Sequence, residues 1–304
     1  MRRVRVHQAW YRAAVLGVER YGRLAGSGAP CGSVLPDDAA ARHLNFLDHE
    51  AVQRYTERRS QGWGVDPERC TKYLTSSQTL SFNMLATAVS KPTACAELFN
   101  ALLGRTDLAR LDTSSFEFAA QGTTYGLGDK TLVDVMLRFT TVAGSLQMVA
   151  VETKLADRFS TRRTAGMHGS KYADLGIRSG SWLDLNASLA DNRTRQLTRC
   201  HALAESVQEQ EGCPGEHAVL VILTHPDDRN AADCVASYIA GVATPGSVVH
   251  QHWSTFLLAA ERAGALDEAA AFELSRRYVD LAWSDAAWRS LESSRRKATA
   301  RQGA

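Results

Sequence analysis

The chain has 304 residues, 44% of them hydrophobic and 22% charged, with a formal net charge of +2. Those proportions suit a globular protein with a sizeable core and exclude a disordered or collagen-like chain. No apolar run is long enough to span a bilayer and the first residues show no signal-like core; the six cysteines, at 31, 70, 95, 200, 213 and 234, show no C-x-x-C spacing. Free thiols in a reducing cytoplasm are therefore expected, with no disulfide frame, no zinc site and no membrane partner. The small net charge hides an asymmetry. Residues 156–200 carry eight Lys/Arg against four Asp, and residues 1–23 carry six Arg against one Glu. Such basic segments suit a polyanionic partner.

Residues 1–24 place Val6, Trp10, Ala14, Val15 and Val18 at helical spacing, which predicts a docked amphipathic helix. Gly26 to Pro36 reads as a loop. Asp37-Asp38 then caps a helix to about Ser60, with Leu44, Leu47, Ala51, Val52 and Tyr55 as its buried stripe. A break at Gly62–Pro67 precedes a helix from Ser77 through Leu80, Met84, Leu85 and Ala88, which Pro92 interrupts before a further helix to Leu103. Gln78 and Asn83 lie on the first of these, placed to contact nucleic acid, to order neighbouring strands or to satisfy backbone groups.

Three strands follow. Ser114 to Ala120 alternates Phe116 and Phe118 on one face and Glu117 on the other. Val133, Val135, Leu137 and Phe139 should share a face of the next strand, with Asp134 opposite. In the third, Glu152 and Lys154 share a face, and a turn near Ala143-Gly144 brings Asp134 roughly opposite Glu152. Two carboxylates and one ammonium on an apolar sheet suit a hard divalent cation, because Mg²⁺ takes oxygen ligands, often one or two carboxylates. Asp134 and Glu152 are the candidate ligands, joined by the Thr153 carbonyl. Lys154 would hold a water or offset charge on a phosphate under attack.

Residues 156–189 form a long connection with Arg158, Arg162, Arg163, His168, Lys171, Tyr172 and Trp182, a mixture suited to gripping a phosphate backbone, although Trp182 equally suits a core. A helix is expected over about Leu189–Gln210, then a buried strand at Ala218–Leu223 and turn material at His225–Asp228. His250 and His252 share the face of a brief strand at Val248–Trp253. Helices at about Ser254–Ala263 and Leu266–Ala282 finish the chain, with a loose tail beyond Glu292.

Asp134 followed by Glu152-x-Lys154 resembles the PD-(D/E)XK nuclease signature. Ser76-Ser77-Gln78-Thr79-Leu80-Ser81-Phe82-Asn83, Phe116-Glu117-Phe118, Gly128-Asp129-Lys130-Thr131 and Gln196-Leu197-Thr198-Arg199-Cys200-His201-Ala202-Leu203-Ala204 resemble its bacterial restriction-endonuclease-like branch. The resemblance covers about residues 74–225 and departs at Val133, which stands where the superfamily's name has proline. It implies an α/β fold with a central mixed sheet flanked by helices, its core running helix, three strands, helix, strand. Residues 1–73 are expected to be a helical elaboration, 74–225 the nuclease-like core and 226–304 a helical extension. The resemblance also implies Mg²⁺-dependent endonucleolytic cleavage of DNA, in restriction or other defence, with Mn²⁺ as a substitute metal. Glu117 and Gln196 would assist Asp134, Glu152 and Lys154. A homodimer would suit cutting both strands. The rival expectations are a binding protein that keeps the fold without catalysis, and a DNA-repair or RNA-cleaving nuclease.

Overall fold

The structure is a computed structural model that describes residues 2–120, 123–163, 169–212 and 215–302, with side chains through residue 296. His168 and Cys213 lie outside the described residues. A two-residue ribbon, β1 (Gly22–Arg23) with β2 (Pro30–Cys31), occupies part of the expected N-terminal loop. The body is a five-stranded sheet of β3 (Leu108–Ala119), β4 (Leu132–Thr141), β5 (Leu146–Lys154), β6 (Val219–Thr224) and β7 (Val248–His252), in that spatial order. The β3–β4 and β4–β5 pairs are antiparallel, whereas β5–β6 and β6–β7 are parallel. The sheet is mixed because the β4–β5 hairpin turns at Gly144 (φ 82°), while β6 and β7 are reached through helical crossovers. The strand Val248–His252 extends the sheet beyond residue 225.

Helices cover both faces. Val135, Leu137, Phe139, Val149, Val151, Val221 and Leu223 pack under the helices Ser77–Val89, Pro92–Leu103 and Trp253–Arg262. Met136, Met148, Ala150, Leu220 and Ile222 pack under Ser170–Ser179, Arg195–Glu211 and Arg229–Ile239. All six residues of β6 are buried, as its continuous apolar run predicts for the middle of a covered sheet. Two α-layers thus enclose one β-layer, and no helix is long and apolar enough to cross a membrane among the described residues.

Several expectations are corrected. The N-terminal helix covers Arg2–Trp10 and continues as a π-helical turn over Tyr11–Val15. Its buried face is Val4, His7, Gln8, Tyr11 and Arg12, held by polar contacts such as Gln8 Nε2 to the Arg277 carbonyl (2.6 Å). The expected Asp37–Ser60 helix is two helices, Asp37–Ala41 and His49–Ser60. His43 adopts φ 56°, and Asp48 caps the second helix by accepting from the Ala51 amide. The connection after β5 contains helices Ser170–Ser179 and Leu185–Ala190. Tyr172 and Trp182 are core residues there, with the Trp182 indole donating to the Tyr238 hydroxyl (3.0 Å). The helix expected from Leu189 begins at Arg195, and the tail beyond Glu292 continues the helix Asp285–Gln302.

Candidate active site

The β4–β5 register pairs Val135 with Val151 and Met136 with Ala150, so one further step sets Asp134 opposite Glu152. At that point the apolar alternation of β4 breaks. Val133 packs with Met136 on one face while Val135 packs on the other. The same break appears in β3, where Phe116 stacks on Phe82 (ring centroids 4.9 Å apart) and Phe118 packs against the opposite layer. Its cause is Glu117, whose φ of 47° is uncommon for a side-chain-bearing residue and costs on the order of 1 kcal/mol or more. Two guanidinium donors of Arg58, Nε and Nη2, hold the Glu117 carbonyl at 3.1 and 2.9 Å. The expectation that Phe116 and Phe118 share a face fails for that reason; Val133, which pairs with Phe118, likewise leaves the face of Val135.

Asp134 is held from β5. Its Oδ2 accepts from both the Thr153 amide and the Thr153 hydroxyl, each at 2.7 Å, and no hydrogen bond reaches Oδ1 among the described residues. The same hydroxyl lies 3.3 Å from the Ser77 carbonyl at the start of the Ser77–Val89 helix. Glu152 is fully buried; its Oε1 accepts from Lys154 Nζ (2.7 Å) and from Gln196 Nε2 (2.5 Å), and its Oε2 meets the Cys200 thiol at 3.5 Å. Gln196 also accepts from the Ser160 amide through Oε1 (2.5 Å), which ties the chain after β5 to the Arg195–Glu211 helix. Lys154 Nζ lies 5.4 Å from the centroid of the Phe159 ring, and the Trp253 indole donates to the Lys154 carbonyl.

The electrostatics are lopsided. Burial raises the Asp134 carboxyl to about 7, reinforced by Glu152 and opposed by Lys154 and the Thr153 donors. Burial, reinforced by Asp134 and Glu152, also pushes the Glu117 carboxyl well up, against a hydrogen bond from Gln78. Glu117 Oε1 is buried with no hydrogen-bond partner among the described residues. Burial alone would lower the Lys154 ammonium, but Glu152 and Asp134 outweigh it and hold it charged. Three buried carboxyl groups therefore crowd around the Lys154 ammonium, with the Arg58 guanidinium near Glu117 as a further cation. No three His, Cys, Asp or Glu side chains group closely enough to cage a metal among the described residues. The surplus of hard oxygen donors and the orphaned Glu117 oxygen nevertheless fit a cation that takes one or two carboxylates and fills its shell with water or phosphate oxygens.

The family model of the PD-(D/E)XK nuclease superfamily matches residues 1–280. The chain belongs to the PD-(D/E)XK nuclease superfamily. No curated protein and no solved structure matches the chain. The superfamily match extends through the N-terminal helices and β7, beyond the residues that carry the signature in the sequence.

Other polar residues singled out in the sequence do different work. Asn83 is buried, accepting from the Leu47 amide and donating to the Asn45 carbonyl and the Tyr278 hydroxyl. Gln78 donates to the Gly64 carbonyl and accepts from the Asp66 amide beside Glu117. Asp129 closes a turn onto Thr131 and pairs with Arg199 at 2.9 Å. His201 is fully buried against Tyr238, and His225 accepts the Asp227 amide within its turn. His250 bonds Thr224, and the two ring centroids of His250 and His252 lie 5.3 Å apart with no third ligand grouped among the described residues. Arg58 and Cys200 were missed by sequence reasoning. Arg58 continues the buried stripe three residues after Tyr55, and Cys200 follows Gln196 by one helical turn, so spacing offered a signal for both.

Proposed function

We propose that this PD-(D/E)XK protein is a Mg²⁺-dependent endonuclease that hydrolyses DNA phosphodiester bonds, with a role in restriction or other defence against foreign DNA. The observation that carries this is the crowding of three buried carboxyl groups, Asp134, Glu152 and Glu117, around the Lys154 ammonium. Asp134, Glu152 and the Thr153 carbonyl would hold the metal, with Glu117 beside them. When bound, Mg²⁺ acidifies a water and neutralises charge that builds on the phosphate.

The chain's own groups supply the rest. Thr153 orients Asp134 through two donors, so that Oδ1 remains available as a ligand oxygen. Gln196 and Lys154 both grip Glu152 Oε1, which fixes that carboxylate. Lys154 stays cationic, so it acts as a charge and a hydrogen-bond donor to the attacking water or phosphate oxygen, not as a base. The low exposure of all three side chains strengthens these interactions, because little water screens them.

Plasmid cleavage tests the reading. Nicking or linearisation should appear with Mg²⁺ or Mn²⁺, disappear in excess chelator and fail with Ca²⁺ while DNA binding persists. Glu152→Ala and Lys154→Ala should abolish it. Strand breaks that survive in chelator, or that are equal in both variants, would contradict the proposal and favour a binding protein with a contaminating activity. A panel of linear, nicked, single-stranded and RNA substrates separates restriction-type cleavage from repair or RNA chemistry.

A further inference from the structure

A cavity of about 520 Å³ opens beside the candidate centre, lined by the Gly128–Leu132 turn, by Ser160, Arg162 and Arg163, and by Gln196, Arg199 and Cys200. Its wall is continuous with the site. Gln196 and Cys200 line the cavity and also contact Glu152, and the Ser160 amide is bonded to Gln196. The charge of the lining is one-sided. Arg199 is matched by Asp129, whereas Lys130, Arg162 and Arg163 form no ion pair among the described residues. Elsewhere arginines commonly pair, as Arg69 does with Asp157, Arg178 with Glu209 and Arg138 with Glu211. The Lys130 ammonium also lies 5.9 Å from the centroid of the exposed Trp63 ring. Arg162, Arg163 and Lys130 thus place three cations, without a carboxylate partner among the described residues, beside a cavity one side chain away from Glu152. Among the described residues the cavity lining itself contains no aromatic ring, and it offers charge and hydrogen-bond donors.

We propose that this cavity is a phosphate subsite: Lys130, Arg162 and Arg163 hold a phosphate of the nucleic-acid strand next to the bond being cut. The inference rests on the nuclease reading and adds what positions the strand. A phosphate fixed there, with Gln196 fixed to Glu152, sets the register between the backbone and the metal-binding carboxylates. Its source is either an internal phosphodiester or a terminal phosphate monoester of the same strand.

Binding without hydrolysis tests it. Fluorescence anisotropy of a labelled DNA duplex, in EDTA across a salt series, would compare wild type with Arg162→Ala/Arg163→Ala, with Lys130→Ala and with Arg262→Ala. The last is an exposed cation control on the opposite helical layer. The double variant should bind about tenfold more weakly, with the slope of log affinity against log salt reduced by about one to two. Lys130→Ala should lower the slope by about one, and Arg262→Ala should match wild type. Pocket variants that keep wild-type affinity and slope, or a control that weakens as much as they do, would overturn the subsite. A preference for a 5′-phosphorylated over a 5′-hydroxyl end, lost in the double variant, assigns the terminal monoester. Equal affinity for both ends, with the same loss, assigns the internal diester. Because nothing is cut in EDTA, this result is separate from plasmid cleavage: binding can fail as predicted while the metal chemistry is disproved, and the reverse.

Discussion

Asp134→Asn should make the metal-free protein more stable while removing the proposed chemistry. A carboxyl raised from its ordinary 3.8 to about 7 costs about 4 kcal/mol when ionised in the fold above pH 7. The sign follows from proton counts. Between those values the folded chain holds a proton that the unfolded chain has released, so the stability contribution present at low pH is lost as pH rises through 7. Asparagine carries no charge and keeps an oxygen for the Thr153 amide and hydroxyl. Those two bonds lose their charge assistance, which offsets about 1–2 kcal/mol. The net gain is about 2 kcal/mol at pH 8, which is a rise of about 4 °C in melting temperature for a chain of this size. Urea and thermal melts in EDTA at pH 8 and pH 5 read it directly, because the advantage should shrink or reverse at pH 5. Added Mg²⁺ should raise the melting temperature of the wild type and leave the variant unmoved. A variant less stable than wild type by the same margin at both pH values would refute the claim that Asp134 is electrostatically strained.

Three further outcomes are expected. Lys154→Gln should lower kcat by about 100- to 1000-fold while preserving the Mg²⁺-induced rise in melting temperature, measured by single-turnover cleavage beside thermal melts. Arg58→Ala should cost about 2–3 kcal/mol and reduce cleavage, because the Glu117 carbonyl loses both guanidinium donors; urea melts and plasmid assays check this. Burial holds His201 neutral, its folded value lowered from 6.5 to about 4, so the unfolded chain binds the extra proton between those limits. About 3 kcal/mol of stability should therefore be lost from pH 6.5 to pH 4. Asp134 titrates in the opposite sense over part of that range, so the quantity to measure is the difference in urea stability between wild type and His201→Gln: it should shift against the wild type as pH falls from 6.5 to 4, and a difference independent of pH would show that His201 is not buried neutral.

The hairpin was legible because its determinants are local. Period-two apolar spacing in β4 and β5 and a glycine turn put Asp134 opposite Glu152, and an i, i+2 spacing put Lys154 beside Glu152. Gln196 rested on resemblance alone, and the structure brings it to Glu152 Oε1. What stayed hidden depends on contacts between distant segments. The reversal of faces at Phe116 and Phe118 requires Glu117 at positive φ, held by an arginine 59 residues earlier. The core arginines were also hidden, since charge argues for exposure. Arg195 instead buries its guanidinium against the Leu189, Ala190 and Thr161 carbonyls, and Arg277 does so against Asn45. The break before His49 was signalled by Asp48, a cap residue that the apolar stripe overrode.

Anomalous diffraction from crystals soaked in Mn²⁺ addresses the central claim most directly. One strong peak is expected, bounded by the Asp134 and Glu152 carboxylates and absent from Asp134→Asn crystals soaked in the same way. A peak elsewhere, or full cleavage activity with that position empty of metal, would contradict it.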